Sequence, residues 1–137
     1  MTNTTRQDIL ADIKSTLNGI SVIKQVSVGK VSAVDIEKVA FPVCFVFSED
    51  ETKAEPKSDL VETWIWHIGL EIWSKNSDME TMMGLIQTAM NEDRTCGGNA
   101  IFCERISSDR YMIDPSKFIM GLSMTYEIKY RHAVLVP

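Results

Sequence analysis

TWIWHIGLEIWSK, residues 63–75, contains all three tryptophans of the chain, and its reading decides the fold. Side chains alternate between the two faces of a strand. With that period Trp64, Trp66, Ile68, Leu70 and Ile72 share one face, and Ile65, His67, Gly69, Glu71 and Trp73 share the other. An unbroken apolar face opposite a mixed one predicts a long strand over 61–73 whose apolar side is covered by helices. It assigns Trp64 and Trp66 to core packing in preference to a stacking platform for a ligand. Trp73 falls on the opposite parity at the strand's end. There it is expected to cap the sheet edge or to meet another subunit, since aromatic residues are enriched at interfaces.

The neighbouring segments fit the same plan. FPVCFVF (41–47) is apolar on both parities and predicts a buried strand, with Pro42 at its start or on an edge because proline cannot donate to a ladder. The closing segment FIMGLSMTYEIKYR (118–131) alternates cleanly and predicts a half-buried antiparallel strand with one wet face. Residues 21–31, rich in Val and Ile, and 100–107 complete the predicted strands, with 107–117 read as a turn region around Asp114-Pro115. Two helices are expected. Over 5–18, Ile9, Leu10, Ile13 and Leu17 fall on one face, Thr5 and Asp8 resemble a capping pair, and Gly19 is a natural stop. In SDMETMMGLIQTAMNED (77–93), Ser77 and Glu80 form an S-x-x-E capping box ahead of a stripe of Met79, Met82, Met83, Ile86 and Met90. Gly97-Gly98 supplies positive-φ positions for the exit turn. The order is α-β-β-β-α-β-β: an α+β domain, mainly antiparallel, with both helices on one face of the sheet.

SEDETKAEPKSD (48–59) carries seven charged residues in twelve. Such composition cannot bury itself, so a mobile charged surface loop at about 48–60 is expected within a single domain spanning 1–137. The 137 residues are 45% hydrophobic, enough for one core without external staples. A net charge of -5 argues against a surface built to bind nucleic acid or an anionic membrane. MTNTTRQDIL has no apolar signal-peptide region, no apolar run approaches the ~20 residues that span a bilayer, and the three cysteines are an odd number. Reduced thiols and a cytoplasmic site of synthesis are therefore expected.

A catalytic site is not expected. His67 and Glu71 share a strand face but are ~13 Å apart at four residues' separation. Cys96 and Cys103 have no zinc-type spacing with other ligands. Gly97-Gly98 follows a helix and precedes a strand, the reverse of a phosphate-binding loop. Catalytic, cofactor and metal residues are accordingly expected to be absent, with no cofactor.

In its order of elements and its strings FPVCFVF, WIWHIGLEIW, METMMGLIQTAMNED, TCGGNA and MTYEIKY, the chain resembles the tail-terminator (tail-completion, minor tail protein U-like) proteins of long-tailed bacteriophages. The resemblance spans most of the chain and rests on patterns of pleat and turn. It implies a structural protein at the neck end of a virion tail, assembled in the bacterial cytoplasm. It further implies a homo-oligomeric ring, a hexamer, that caps the tail tube and offers a surface to the head's connector. The implied partners are other copies of the chain, the tube protein and a head-completion protein. The expected contact residues are Glu49, Asp50, Glu51, Lys53 and Lys57 in the charged segment, and Trp73 at a subunit interface. Two alternatives stand beside this: another phage neck protein, or a non-catalytic α+β ligand- or peptide-binding module using the methionine stripe and Trp73. An enzyme with a dispersed site would need His67 and Glu71 together in a deep pocket.

Overall fold

The computed structural model describes residues 5–29, 41–53, 61–75, 79–114 and 119–133. Its elements are α1 (Thr5–Asn18), β1 (Gln25–Val28), β2 (Val43–Lys53), β3 (Val61–Ser74), α2 (Met79–Glu92), β4 (Phe102–Asp114) and β5 (Ile119–Ala133). This is the expected α-β-β-β-α-β-β order, an α+β fold. The five strands form one sheet in the order β1-β2-β3-β5-β4. All pairs are antiparallel except β1 with β2, which is parallel.

Parity does what the sequence of β3 promises. Trp66, Ile68, Leu70 and Ile72 are buried on the face that also presents Cys44 and Val46 of β2 and Leu122, Met124, Tyr126 and Ile128 of β5. Ile9, Ile13 and Leu17 of α1 and Met79, Met82, Ile86 and Met90 of α2 close over that face. Trp64 packs against the same cluster while partly exposed. The methionine stripe is core.

Three boundaries differ from the sequence reading, each because pairing overrides local composition. Of the strand expected over 21–31, the described residues form Gln25–Val28. The turn region expected at 107–117 is strand through Asp114, since its polar residues still pair with β5. Most informative, Ser48–Lys53, expected to begin the charged loop, continue β2 as a strand held against β3 as far as the Lys53–Trp64 pair. The remainder of that expected loop, the Ser77 capping position and Pro115 lie outside the described residues.

A single β-bulge makes the extension of β2 possible. Ser48 is registered with Ile68, but Glu51 with Trp66, so one extra residue is accommodated between them. The bulge turns Glu49 and Asp50 to the helix-free face and Glu51 to the helix face. There the Tyr130 hydroxyl donates to Glu51, and Arg6 of α1 meets the same carboxylate at 3.3 Å. Trp66 Nε1 donates to Ser48 Oγ at 2.8 Å, fixing the start of the bulge to the core.

The turn after α2 is locked to α1 by an acid pair. Asp93 Oδ1 accepts the Gly97 N–H at 2.9 Å, and Oδ2 accepts from Thr16 Oγ1 at 3.4 Å. Gly97 and Gly98 take the positive φ angles of 68° and 88° expected of them. Burial, a hydrogen bond to Asp93 and the charge of Asp93 push the Asp12 carboxyl up to about 7, so Asp12 holds a proton that Asp93 shares. The folded pKa lies above the unfolded one, so this proton's contribution is full below the ordinary Asp range near 4 and is lost as pH rises through about 7. Asp12→Asn supplies a permanent N–H donor. It is expected to remove this decline and to exceed the wild type by about 1 kcal/mol at pH 8, discounted for partial exposure. Urea midpoints at pH 5 and pH 8 measure it; an equal decline in both proteins would exclude the shared proton.

Candidate assembly surface

Both helices lie on one face of the sheet, which leaves the other face without a helical layer among the described residues. Its side chains are the odd-numbered ones of β3 and β5, and they divide into two zones.

The first zone is apolar. Val43, Phe45, Trp73 and Ile119 form a second buried cluster, with Phe41 and Ile113 packed on it. Trp73 meets Phe45 edge-on, ring centroids 5.3 Å apart, and is only 8% exposed. Its indole N–H has no partner among the described residues. The parity expected for Trp73 is thus correct. Its environment is a pocket of this chain's own side chains, so within one copy it is a packing residue.

Two glycines shape the same face. Gly69 is registered with Phe47, and Gly121 with Tyr111. In each case the aromatic ring lies over the glycine: a β-carbon on Gly121 would sit 2.6 Å from Tyr111 Cζ, and one on Gly69 would overlap the Phe47 ring. Aromatic cover of a strand glycine restores the packing that the missing side chain would otherwise forfeit.

The second zone is charged. Across the sheet run Asp50 of β2, His67 of β3, Glu127 of β5 and Glu104 of β4, the last three in direct register. His67 Nδ1 lies 2.5 Å from Asp50 Oδ1, and Nε2 lies 3.2 Å from Glu127 Oε1. Thr125 Oγ1 donates to Glu49 at 3.1 Å one row away. Glu127 and Glu104 oppose each other as like charges, an arrangement that costs a sheet stability unless countered. His67 counters it in part. Burial works against protonation of the ring, but its hydrogen bonds to Glu127 and Asp50 and their charges outweigh that and raise its pKa above the ordinary histidine value. This gives a directional expectation. Its contribution to stability is full below the unfolded value near 6.5 and fades as pH rises through the folded value. His67→Gln is expected to cost about 0.5–1 kcal/mol at pH 6 and less at pH 9. A cost that grew with pH would reverse the assignment.

The contact residues expected from sequence therefore separate. Glu49 and Asp50 come together on the helix-free face. Glu51 does not join them, being held on the helix face by Arg6 and Tyr130. Lys53 ends β2 opposite Trp64, and Lys57 lies outside the described residues. His67, Glu127 and Glu104 were not among the expected contacts. Their signal was available only as parity along β5 and β3, since the cross-strand register that gathers them is set by tertiary pairing.

A further property of this surface is its reach. β1 ends at the Val28–Val46 pair, so β2 runs seven residues past it to Lys53 (53 − 46). β4 begins opposite Lys129, so β5 runs four residues past it to Ala133 (133 − 129). Past β1 the sheet continues with four strands as far as the Thr52–Ile65–Lys129–Phe102 row, and β3 and β5 run on to the Val61–Ala133 pair. The outer backbone edge of β2 past Val46 and that of β5 past Lys129 have no strand partner among the described residues.

The described residues do not bring His67 and Glu71 together. Both ring nitrogens of His67 are engaged by carboxylates on an open sheet face, and Glu71 is registered with Phe45 and Ser123, two rows distant. The cavity of about 480 Å³ beside α2 is lined by Val22, Lys24, Phe41, Pro42, Ser74, Lys75, Thr81, Met82 and Leu85, without His67, Glu71 or Trp73. No group of His, Cys, Asp and Glu among the described residues has the arrangement of a metal site, and no described helix is long and apolar enough to cross a membrane.

No family model matches the chain, and no curated protein matches it. Among solved structures it is similar to a chain of a structure titled "Virion of native gene transfer agent (GTA) particle", at 6% identity and a TM-score of 0.43, over 93% of this chain and 92% of that one. At that identity and score the likeness says nothing about what this chain does.

Proposed function

We propose that this chain is a structural component of a long-tailed phage virion. Specifically, it is a tail terminator that forms a ring on the finished end of the tail tube and presents the surface to which the head joins. The observation that carries this reading is the outer edge of β2, unpaired past β1 among the described residues and joined to a helix-free sheet face. A strand edge left without a partner invites association. Here one end of that face is closed by aromatic residues and the other carries Glu49, Asp50 and Glu127 around His67. A face of that charge complements a basic surface, which we assign to the tube protein. The sequence resemblance to tail terminators supports the same role, with copies of the chain, the tube protein and a head-completion protein as partners and the neck end of the tail as location. In a ring the contacts are heterologous, so each copy offers two different patches to its neighbours.

Molar mass by light scattering over a concentration series, with negative-stain images of the largest species, tests the reading. A closed ring of defined copy number, six by the resemblance, is the expected result. A strict monomer at every concentration would remove the self-association on which the reading depends. Within an assembling protein, Glu49→Lys with Asp50→Lys is expected to weaken binding to an isolated tube while leaving the ring intact. Unchanged tube binding would exclude the acidic zone from that contact.

A further inference from the structure

The ring requires two complementary patches, and the distribution of exposed apolar side chains identifies a pair. Large hydrophobic residues left exposed are Val22, Val28, Leu85, Ile101, Ile106 and Met112. Four of these six fall in two places. Val22 (41% exposed) and Leu85 (39%) line the 480 Å³ cavity at the β1 side of α2, and Ile106 and Met112 (each 49%) lie on β4. The two places are separate patches: the cavity is lined by residues ahead of β1 and β2, the end of β3 and one flank of α2, whereas Ile106 and Met112 lie on the edge strand β4.

Their chemistry is complementary. The cavity's walls are apolar, from Val22, Phe41, Met82 and Leu85. Among the described residues its charged lining side chains are Lys24 and Lys75, on a chain whose net charge is -5. Lys75 Nζ stands 5.1 Å over the Phe41 ring, at the mouth of the apolar floor. On β4 the register slips between Arg105 and Ser107, so Ile106 is the extra residue of a bulge, unpaired with β5 and pushed out of the ladder. Two exposed carboxylates bracket it, Glu104 before and Asp109 after. A bulge on an edge strand blocks strand-to-strand addition. An exposed isoleucine at that bulge is therefore poorly placed for sheet extension and well shaped to enter a pocket.

We propose that the cavity beside α2 receives the β4 edge of a second copy of this chain, with Ile106 seated among Val22, Met82 and Leu85, and Glu104 and Asp109 paired with Lys24 and Lys75. The contact is heterologous, because lock and key are different patches. Repeated from copy to copy it generates a ring or a filament, depending on whether the rotation closes. The inference rests on the ring reading and supplies that reading with its subunit interface.

Charge exchange tests it. Lys24→Glu with Lys75→Glu alters only the cavity, and Glu104→Lys with Asp109→Lys alters only the key. All four residues are exposed, so both variants retain the core, as thermal melts will verify. Each variant alone is expected to assemble at least ten-fold more weakly than the wild type by light scattering. An equimolar mixture is expected to recover assembly, because the acidic cavity of one variant now faces the basic key of the other. Wild-type assembly that persists unchanged in both variants overturns this interface and leaves the ring standing. Loss in each variant without recovery in the mixture overturns the pairing. A wild type that stays monomeric throughout overturns the ring reading and this interface together.

Discussion

Trp66→Ala is expected to lower the free energy of unfolding by about 3–5 kcal/mol, the range for deleting a large buried aromatic side chain. Trp66 is 2% exposed and touches every layer of the molecule. Its ring meets Tyr130 edge-on with centroids 6.1 Å apart, lies 6.0 Å beneath the Arg6 guanidinium of α1, and donates through Nε1 to Ser48 at the β2 bulge. Removing it opens a cavity and also leaves Ser48 without its anchor. The bulge that directs Glu49 and Asp50 to the open face should then loosen. Urea denaturation reads the stability, and Trp66→Phe separates the two effects: it refills most of the cavity but cannot donate to Ser48. A loss below about 1 kcal/mol in Trp66→Ala would show that this side chain is not the packing centre assigned to it.

The second large effect belongs to Gly69→Val, expected to cost roughly 1–3 kcal/mol or more. The added β-carbon would overlap the Phe47 ring and come within 3.1 Å of Glu49 Oε1. Phe47 and Glu49 must both move, so the substitution disturbs the apolar cover and the acidic zone together. In an isolated strand, valine would be the better strand former. A destabilised Gly69→Val protein therefore isolates the packing requirement from the propensity. The discriminating control is the double variant Phe47→Ala, Gly69→Val, which vacates the ring's place and is expected to recover part of the loss. Non-additivity of that sign is the signature of residues in contact.

The sequence was most informative where one face of an element is buried. Trp66, Ile68, Leu70 and Ile72 announce their face by parity alone, and Ile9, Ile13 and Leu17 announce theirs by helical spacing. FPVCFVF was apolar on both parities because both faces of that stretch of β2 are covered, by the main core on one side and by the Trp73 cluster on the other. Composition misled where tertiary pairing decides. Ser48–Lys53 reads as a solvated loop by charge, yet it is strand because Glu51 finds Arg6 and Tyr130, and Trp66 finds Ser48. The charged row was half legible. Asp50 was named from its segment and His67 was weighed against Glu71 along its own strand. Its partners turned out to lie across the sheet, and a register between strands 60 residues apart has no local signature.

The placement of β5 has one more consequence. It is made after β3, α2 and β4, yet it lies between β3 and β4 and pairs with both along most of its length. Neither of those strands touches the other's ladder without it. While the chain is still emerging from the ribosome, the β2–β3 hairpin and the helices can form local structure, but β4 has no sheet to join until β5 has been synthesised and inserts. The backbone edge of β3 that β5 will occupy is unpaired during that interval. Folding of the domain is thus tied to completion of its C-terminal strand, and a nascent chain stalled before Ile119 should behave as an aggregation-prone intermediate in need of a holdase chaperone.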